Sequence, residues 1–201
     1  MEDNYDQEDN DWRTVAPSKR NRVARLQPLP LWFQSLEAPN KETQFEPYIL
    51  MLMGLPGAGK STIAEKLHEL EPWKYVRVNQ DTLKNREACL KVAKKALSEN
   101  KCPIIDRCHV QFINRKPFYE LAESFHVPVD LLIIDAPYSA CLERCRRRQN
   151  HPTLSPDDAG WVITKFQKDW EMPVGNEKIR QIWTISGIDD PRFPDLFRRL
   201  L

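Results

Sequence analysis

The chain has 201 residues, 41% of them hydrophobic, with a mean hydropathy of −0.61 and a formal net charge of +1. That length suits one domain with some unpacked chain, and no apolar run approaches the roughly 18 residues that a membrane span needs. The near-neutral balance carries no overall attraction for a polyanion, so nucleic-acid affinity would have to come from local clusters.

Residues 1–11 hold six acidic side chains and no basic one, whereas residues 13–25 hold five basic ones, Arg13, Lys19, Arg20, Arg22 and Arg25, and no acidic one. A block this polar cannot bury enough apolar surface to order itself, so residues 1–28 are expected to be a disordered tail and 29–201 one folded domain. The basic half suits a nucleic-acid backbone or a weak import signal, and equally a solvated tail without a task. The acidic start is unlike a secretory or mitochondrial leader, and nucleus or cytoplasm is the expected location. The apolar stretch "LPLWFQSL", Leu29 to Leu36, is suited to dock on the domain that follows.

From Tyr48 onward strand and helix patterns alternate. Expected strands are Ile49–Met53, Tyr75–Asn79, Pro103–Asp106, Leu131–Asp135 and Gln181–Ile185. One amphipathic helix is expected over Asp81–Asn100, with Leu83, Leu90, Ala93 and Leu97 on one face. Ser155 followed by Pro156, and Asp190 followed by Pro191, read as helix starts with a capping residue and a proline in the first turn. Strands separated by helices imply an α/β fold, a five-stranded mostly parallel sheet with helices on both faces. The five cysteines form no C-x-x-C pair, the pattern of reduced thiols in an intracellular protein. Cys141 and Cys145 stand four apart on an expected helix, without further partners at zinc spacing.

The first expected strand runs into Gly54-Leu55-Pro56-Gly57-Ala58-Gly59-Lys60-Ser61-Thr62, which fits G-x-x-x-x-G-K-[ST] at every fixed position. Glycines let successive backbone N–H groups point inward, and the helix that follows adds its positive end. Lys60 is placed to reach the β- and γ-phosphates, and the Ser61 hydroxyl to hold Mg²⁺. The chain therefore reads as binding a nucleoside triphosphate. It has no N-K-x-D guanine-reading motif, which leaves ATP as the default donor.

Two later stretches suit transfer to a bound acceptor. In "VRVNQDTL" a strand ends at Asn79, and Asp81 stands at the mouth of the sheet, where a carboxylate can take the proton of an attacking hydroxyl. The plainer alternative is that Asp81 caps the next helix. In "CLERCRRRQNHPTL" four arginines fall in five positions, and Arg144 and Arg148 share a helix face. They suit a lid that neutralises phosphate charge, or merely a solvated basic face.

The motifs "GLPGAGKST", "VNQDTL", "PIIDRCHV" and "RRRQNHPTL" together resemble the kinase domain of the polynucleotide 5′-hydroxyl kinase family, over roughly residues 47–173. The resemblance implies a P-loop kinase fold with an arginine-rich lid, ATP and Mg²⁺ as cofactors, and a nucleic-acid 5′-hydroxyl end as acceptor. It makes Asp81 the base, assigns Lys60 and Ser61 to ATP and Mg²⁺, and places Arg144 and Arg148 in the lid. Asp106 is implied at the metal or the acceptor, and Lys84 and Arg107 at acceptor phosphate. Arg115 is a further candidate for lining the path of the strand. Family members often carry Asn or Thr-Asn where this chain has Arg107, Cys108 and His109, and the lone His109 reads as a hydrogen-bonded loop residue. Phosphatase, hydrolase and ligase motifs found in larger end-healing proteins do not occur, so a freestanding kinase is expected. The alternatives are a small-molecule kinase acting on a sugar, nucleoside or nucleotide, and a non-catalytic NTP-binding adaptor.

Overall fold

A computed structural model describes residues 29–38, 45–148 and 154–201. The expected tail over residues 1–28 lies outside them. Five strands form one sheet: β1 (Ile49–Gly54), β2 (Tyr75–Asn79), β3 (Cys102–Asp106), β4 (Val129–Ile134) and β5 (Gln181–Ile185). The spatial order is β2-β3-β1-β4-β5, and every pairing is parallel.

The central strand β1 is buried along its whole length because helices cover both faces of the sheet. Leu50 and Leu52 point into one core with α2 (Lys60–Leu70), α6 (Tyr138–Arg147), α7 (Ala159–Lys168) and α8 (Phe193–Leu200). Ile49, Met51 and Met53 point into the other, with α4 (Arg86–Ser98) and α5 (Phe112–Ser124). This alternation is the two-residue period of a strand. The apolar stretch before β1 docks as expected. In the short helix α1 (Leu31–Gln34), Phe33 is buried in contact with Phe193 and Phe197 of α8.

The helix expected over Asp81–Asn100 is two. α3 (Gln80–Leu83) stops at Lys84, which takes a positive φ of 74°, and Asn85 starts α4 by accepting a bond from Ala88 N at 2.8 Å. Asparagine is a strong cap, and here it restarts the chain in a new direction. The Ser155 hydroxyl accepts from Asp158 N at 3.2 Å, but this closes a turn, and α7 begins only at Ala159. Asp190 likewise organises the turn ahead of α8, accepting from the backbone N–H of Ser186 and Arg192.

Arg115 is the clearest departure from expectation. It lies fully buried in α5, its guanidinium paired with both Glu177 oxygens at 2.8 and 2.7 Å, and it also donates to the carbonyls of His109 and Glu171. Tyr119 OH closes the set on Glu177 at 2.5 Å. Burying a guanidinium is tolerable only when its donors are satisfied this fully, so Arg115 fastens the segment between α7 and β5 to α5 and lines no strand path. Among the described residues no helix is long and apolar enough to cross a membrane.

Candidate active site

The chain crosses from the β2/β3 side of β1 to the β4/β5 side after β3. A parallel sheet opens its ligand crevice at such a switch, at the carboxyl ends of its strands. The glycine-rich loop bridges β1 and α2 there. Gly57 and Gly59 take φ values of 84° and 108°, open to glycine at little cost. Lys60 is buried and donates to the carbonyls of Gly54 and Leu55 at 2.9 and 2.8 Å, so its ammonium stands inside the curve of the loop. A Cβ at Gly57 would meet Cys141 O at 2.5 Å and Cys145 Sγ at 2.8 Å. Helix α6 therefore rests directly on the loop, and Arg144 donates to Gly57 O at 3.4 Å. Both cysteines serve this packing, and burial pushes the Cys141 thiol up to about 11.

Asp106 ends β3 beside this loop. Its Oδ1 accepts from Ser61 Oγ at 3.1 Å, and its Oδ2 from Arg77 Nε and Nη2 at 2.9 and 2.7 Å and from Asn79 Nδ2 at 2.7 Å. The structure thus joins Ser61 and Asp106 into one hydroxyl–carboxylate pair, held by two side chains of β2 that the motifs did not single out. Their signal was available but weak. Arg77 and Asn79 are two apart on one strand, hence on one face of it.

Asp81 lies in the first turn of α3, two residues past the N-cap position that the capping reading would need. Asn79 accepts from Thr82 N at 2.9 Å as the cap of α3, and Asn85 caps α4. Asp81 lines the same cleft as Lys60, Ser61, Asp106, Arg107 and Arg148. Arg107 also donates to Asn114 Oδ1 at 3.2 Å. Lys84 is exposed on the α3–α4 break and does not line this cleft, and Arg144 reaches the phosphate loop from outside the lining.

His109 is a buried residue of the cleft lining, with Nδ1 3.0 Å from Leu52 O, so Nδ1 carries the hydrogen. Burial, and then the charge of Arg107, lower it to about 3 and keep it neutral. It is the hydrogen-bonded loop residue that the sequence suggested. Three further lining residues, Trp161, Lys165 and Phe166 of α7, went unnoticed in the sequence, where the pattern reads only as an amphipathic helix. Chemically the cleft offers a glycine cradle with an internal lysine, a hydroxyl–carboxylate pair and a second carboxylate. That set can hold a polyphosphate with a hard divalent cation beside a nucleophile awaiting deprotonation.

The family model of an AAA domain matches residues 49–160, more than half of the chain. A relative named transcription factor bHLH140, from Arabidopsis thaliana, is 30% identical over 159 residues, 76% of this chain and 17% of that one. A bifunctional polynucleotide phosphatase/kinase of Schizosaccharomyces pombe is 38% identical over 81 residues, 40% of this chain and 19% of that one. A putative bifunctional polynucleotide phosphatase/kinase of the Acanthamoeba polyphaga mimivirus is 27% identical over 160 residues, 75% of this chain and 37% of that one. The chain thus spans well under half the length of these relatives. Among solved structures, Chaetomium thermophilum Kti12 in complex with ADP-AlF3 superposes with a TM-score of 0.59 at 17% identity, covering 76% of this chain and 96% of that one. A gluconokinase from Sinorhizobium meliloti 1021 gives 0.53 at 16% identity, covering 79% and 91%. A fungal RNA kinase gives 0.54 at 14% identity, covering 78% and 84%. These three likenesses are of fold. The P-loop kinase fold read from the sequence is borne out, and so is the resemblance to polynucleotide kinases.

Proposed function

The chain belongs to the AAA-domain family of P-loop proteins, and from that premise we propose an ATP-dependent kinase that phosphorylates the 5′-hydroxyl end of a polynucleotide. One observation carries the reading. Asp81 shares a cleft with the phosphate loop, while Asn79 and Asn85 take the capping work that would otherwise explain it. In this scheme the loop from Gly54 to Thr62 holds the triphosphate of ATP, with Lys60 at the β- and γ-phosphates. Asp81 accepts the proton of the acceptor hydroxyl, the new O–P bond forms at the γ-phosphorus, the bond to the β–γ bridging oxygen breaks, and ADP leaves. Arg148, which lines the cleft, and Arg144, against the loop, offset charge on the transferring group.

Ser61 and Asp106 fit Mg²⁺, whose usual holders are one or two oxygen side chains with phosphates and water. Bound there, Mg²⁺ would neutralise phosphate charge. Arg107, on the cleft wall, and Lys84, on its approach, are assigned to acceptor phosphate. The relatives named polynucleotide phosphatase/kinase support this acceptor. The likeness to a gluconokinase supports a second reading, a small-molecule acceptor in the same cleft.

The deciding experiment supplies γ-labelled ATP, Mg²⁺ and a panel of 5′-hydroxyl DNA and RNA oligonucleotides, nucleosides and sugars, beside Lys60→Ala. Label on oligonucleotides, lost in the variant, is the expected result. Label arriving only on a small molecule replaces the first reading with the second.

A further inference from the structure

Helix α7 buries Ala159, Val162 and Ile163 in the core. Trp161 and Lys165, one turn apart, line the cleft, where Val162 also reaches its edge. Trp161 is 57% exposed, although an indole gains more than almost any side chain from burial. The Lys165 ammonium stands 5.8 Å from its ring centroid. The cleft therefore has a bare aromatic ring with a cation beside it, in the same lining as the phosphate loop.

Trp161 and Lys165 share the cleft with the phosphate loop and with Gln80, Asp81, Arg107 and Asn114, which follow β2 and β3 and include the proposed base, but with no residue of the loop after β5, whose Ile188 packs against Gly59. A flat π-surface beside a cation matches the repeating unit of a single-stranded nucleic acid, base then phosphate. A sugar acceptor has no flat π-face to place there. Resting on the kinase reading above, we propose that Trp161 is the stacking platform for the 5′-terminal base of a single-stranded acceptor, with Lys165 beside it for the next phosphate.

The test compares a 5′-hydroxyl oligonucleotide with the same strand carrying an abasic tetrahydrofuran unit at its 5′ end. Wild-type protein should lose about tenfold in kcat/KM on the abasic strand, mostly through KM. Trp161→Ala should lose about as much on the intact strand and no longer distinguish the two, while Trp161→Phe keeps most of the preference. ADP affinity, measured by calorimetry, should be unchanged in both variants. Equal use of the two strands by wild type overturns the platform and leaves the kinase reading standing. A matching loss of ADP affinity in Trp161→Ala overturns it too, by assigning the ring to the donor. Wild type that phosphorylates no oligonucleotide sinks both readings together.

Discussion

Ser61 Oγ donates to Asp106 Oδ1 across 3.1 Å, joining the first turn of α2 to the carboxyl end of β3, 45 positions further along the chain. The other Asp106 oxygen is taken by Arg77 and Asn79, so a carboxylate with only 4% of its surface exposed is fully engaged. Asp106→Asn removes the charge that Arg77 pairs with and puts a donor where one was accepted. Stability should fall by about 1–3 kcal/mol, read by urea denaturation. The gain in ADP affinity that Mg²⁺ provides should shrink, read by calorimetric titration with and without the ion. An undiminished gain would remove Asp106 from the proposed metal site.

Asp81→Asn separates chemistry from scaffolding. Because Asn79 and Asn85 hold the caps, stability read by urea denaturation should change by no more than a surface substitution does, about 0.5 kcal/mol. Phosphoryl transfer should drop by about 10²–10⁴. A variant that transfers phosphate at the wild-type rate ends the assignment of Asp81 as base.

Gly57→Ala should damage the site through packing. The added methyl would meet the Cys141 carbonyl at 2.5 Å and force a non-glycine residue to a φ of 84°, so α6 has to retreat from the phosphate loop. Stability should fall by about 1–3 kcal/mol, with ADP affinity at least tenfold weaker. Gly175→Ala, with nothing within 4 Å of the new atom, is the control and should change neither.

The pH dependence of stability should carry the mark of His109. Its folded pKa lies at about 3, below the ordinary value of 6.5, because burial and then Arg107 disfavour the cation, with Arg115 and Lys60 adding to this. Between those values the unfolded chain takes up a proton that the folded one refuses. Stability is therefore lost as pH falls from about 6.5 towards 3, with a slope approaching about 1.4 kcal/mol per pH unit from this group alone. Urea denaturation at steps from pH 7 to pH 4 should show this slope in wild type and a flatter curve in His109→Gln. Comparing the two isolates the effect, because Glu71, raised by its burial, acts equally in both. Parallel curves would mean that the imidazole titrates in place.

Much of the scaffold was legible locally. β1 announces itself as an unbroken apolar run into glycines, since a strand covered on both faces has no polar side to show. β2 and β5 fell on their expected bounds, and β3 and β4 within two residues. The break at Lys84 and Asn85 was missed because the apolar period runs on across it, and only a positive φ reveals the turn.

The sequence by itself determined the phosphate loop, its lysine and the order of strands and helices, because each depends on residues within one turn or one strand of each other. It could name Asp81 but not say which residue caps the helix there, and it put Arg115 on the path of the strand. Tertiary structure decided those matters: it set Arg115 against Glu177, 62 residues away, Ser61 against Asp106, and Trp161 in one cleft with the phosphate loop. Whether a charge is paired or an aromatic is bare depends on which distant segment packs against it. Periodicity along the chain carries no such information, because burial and pairing are properties of the folded surroundings.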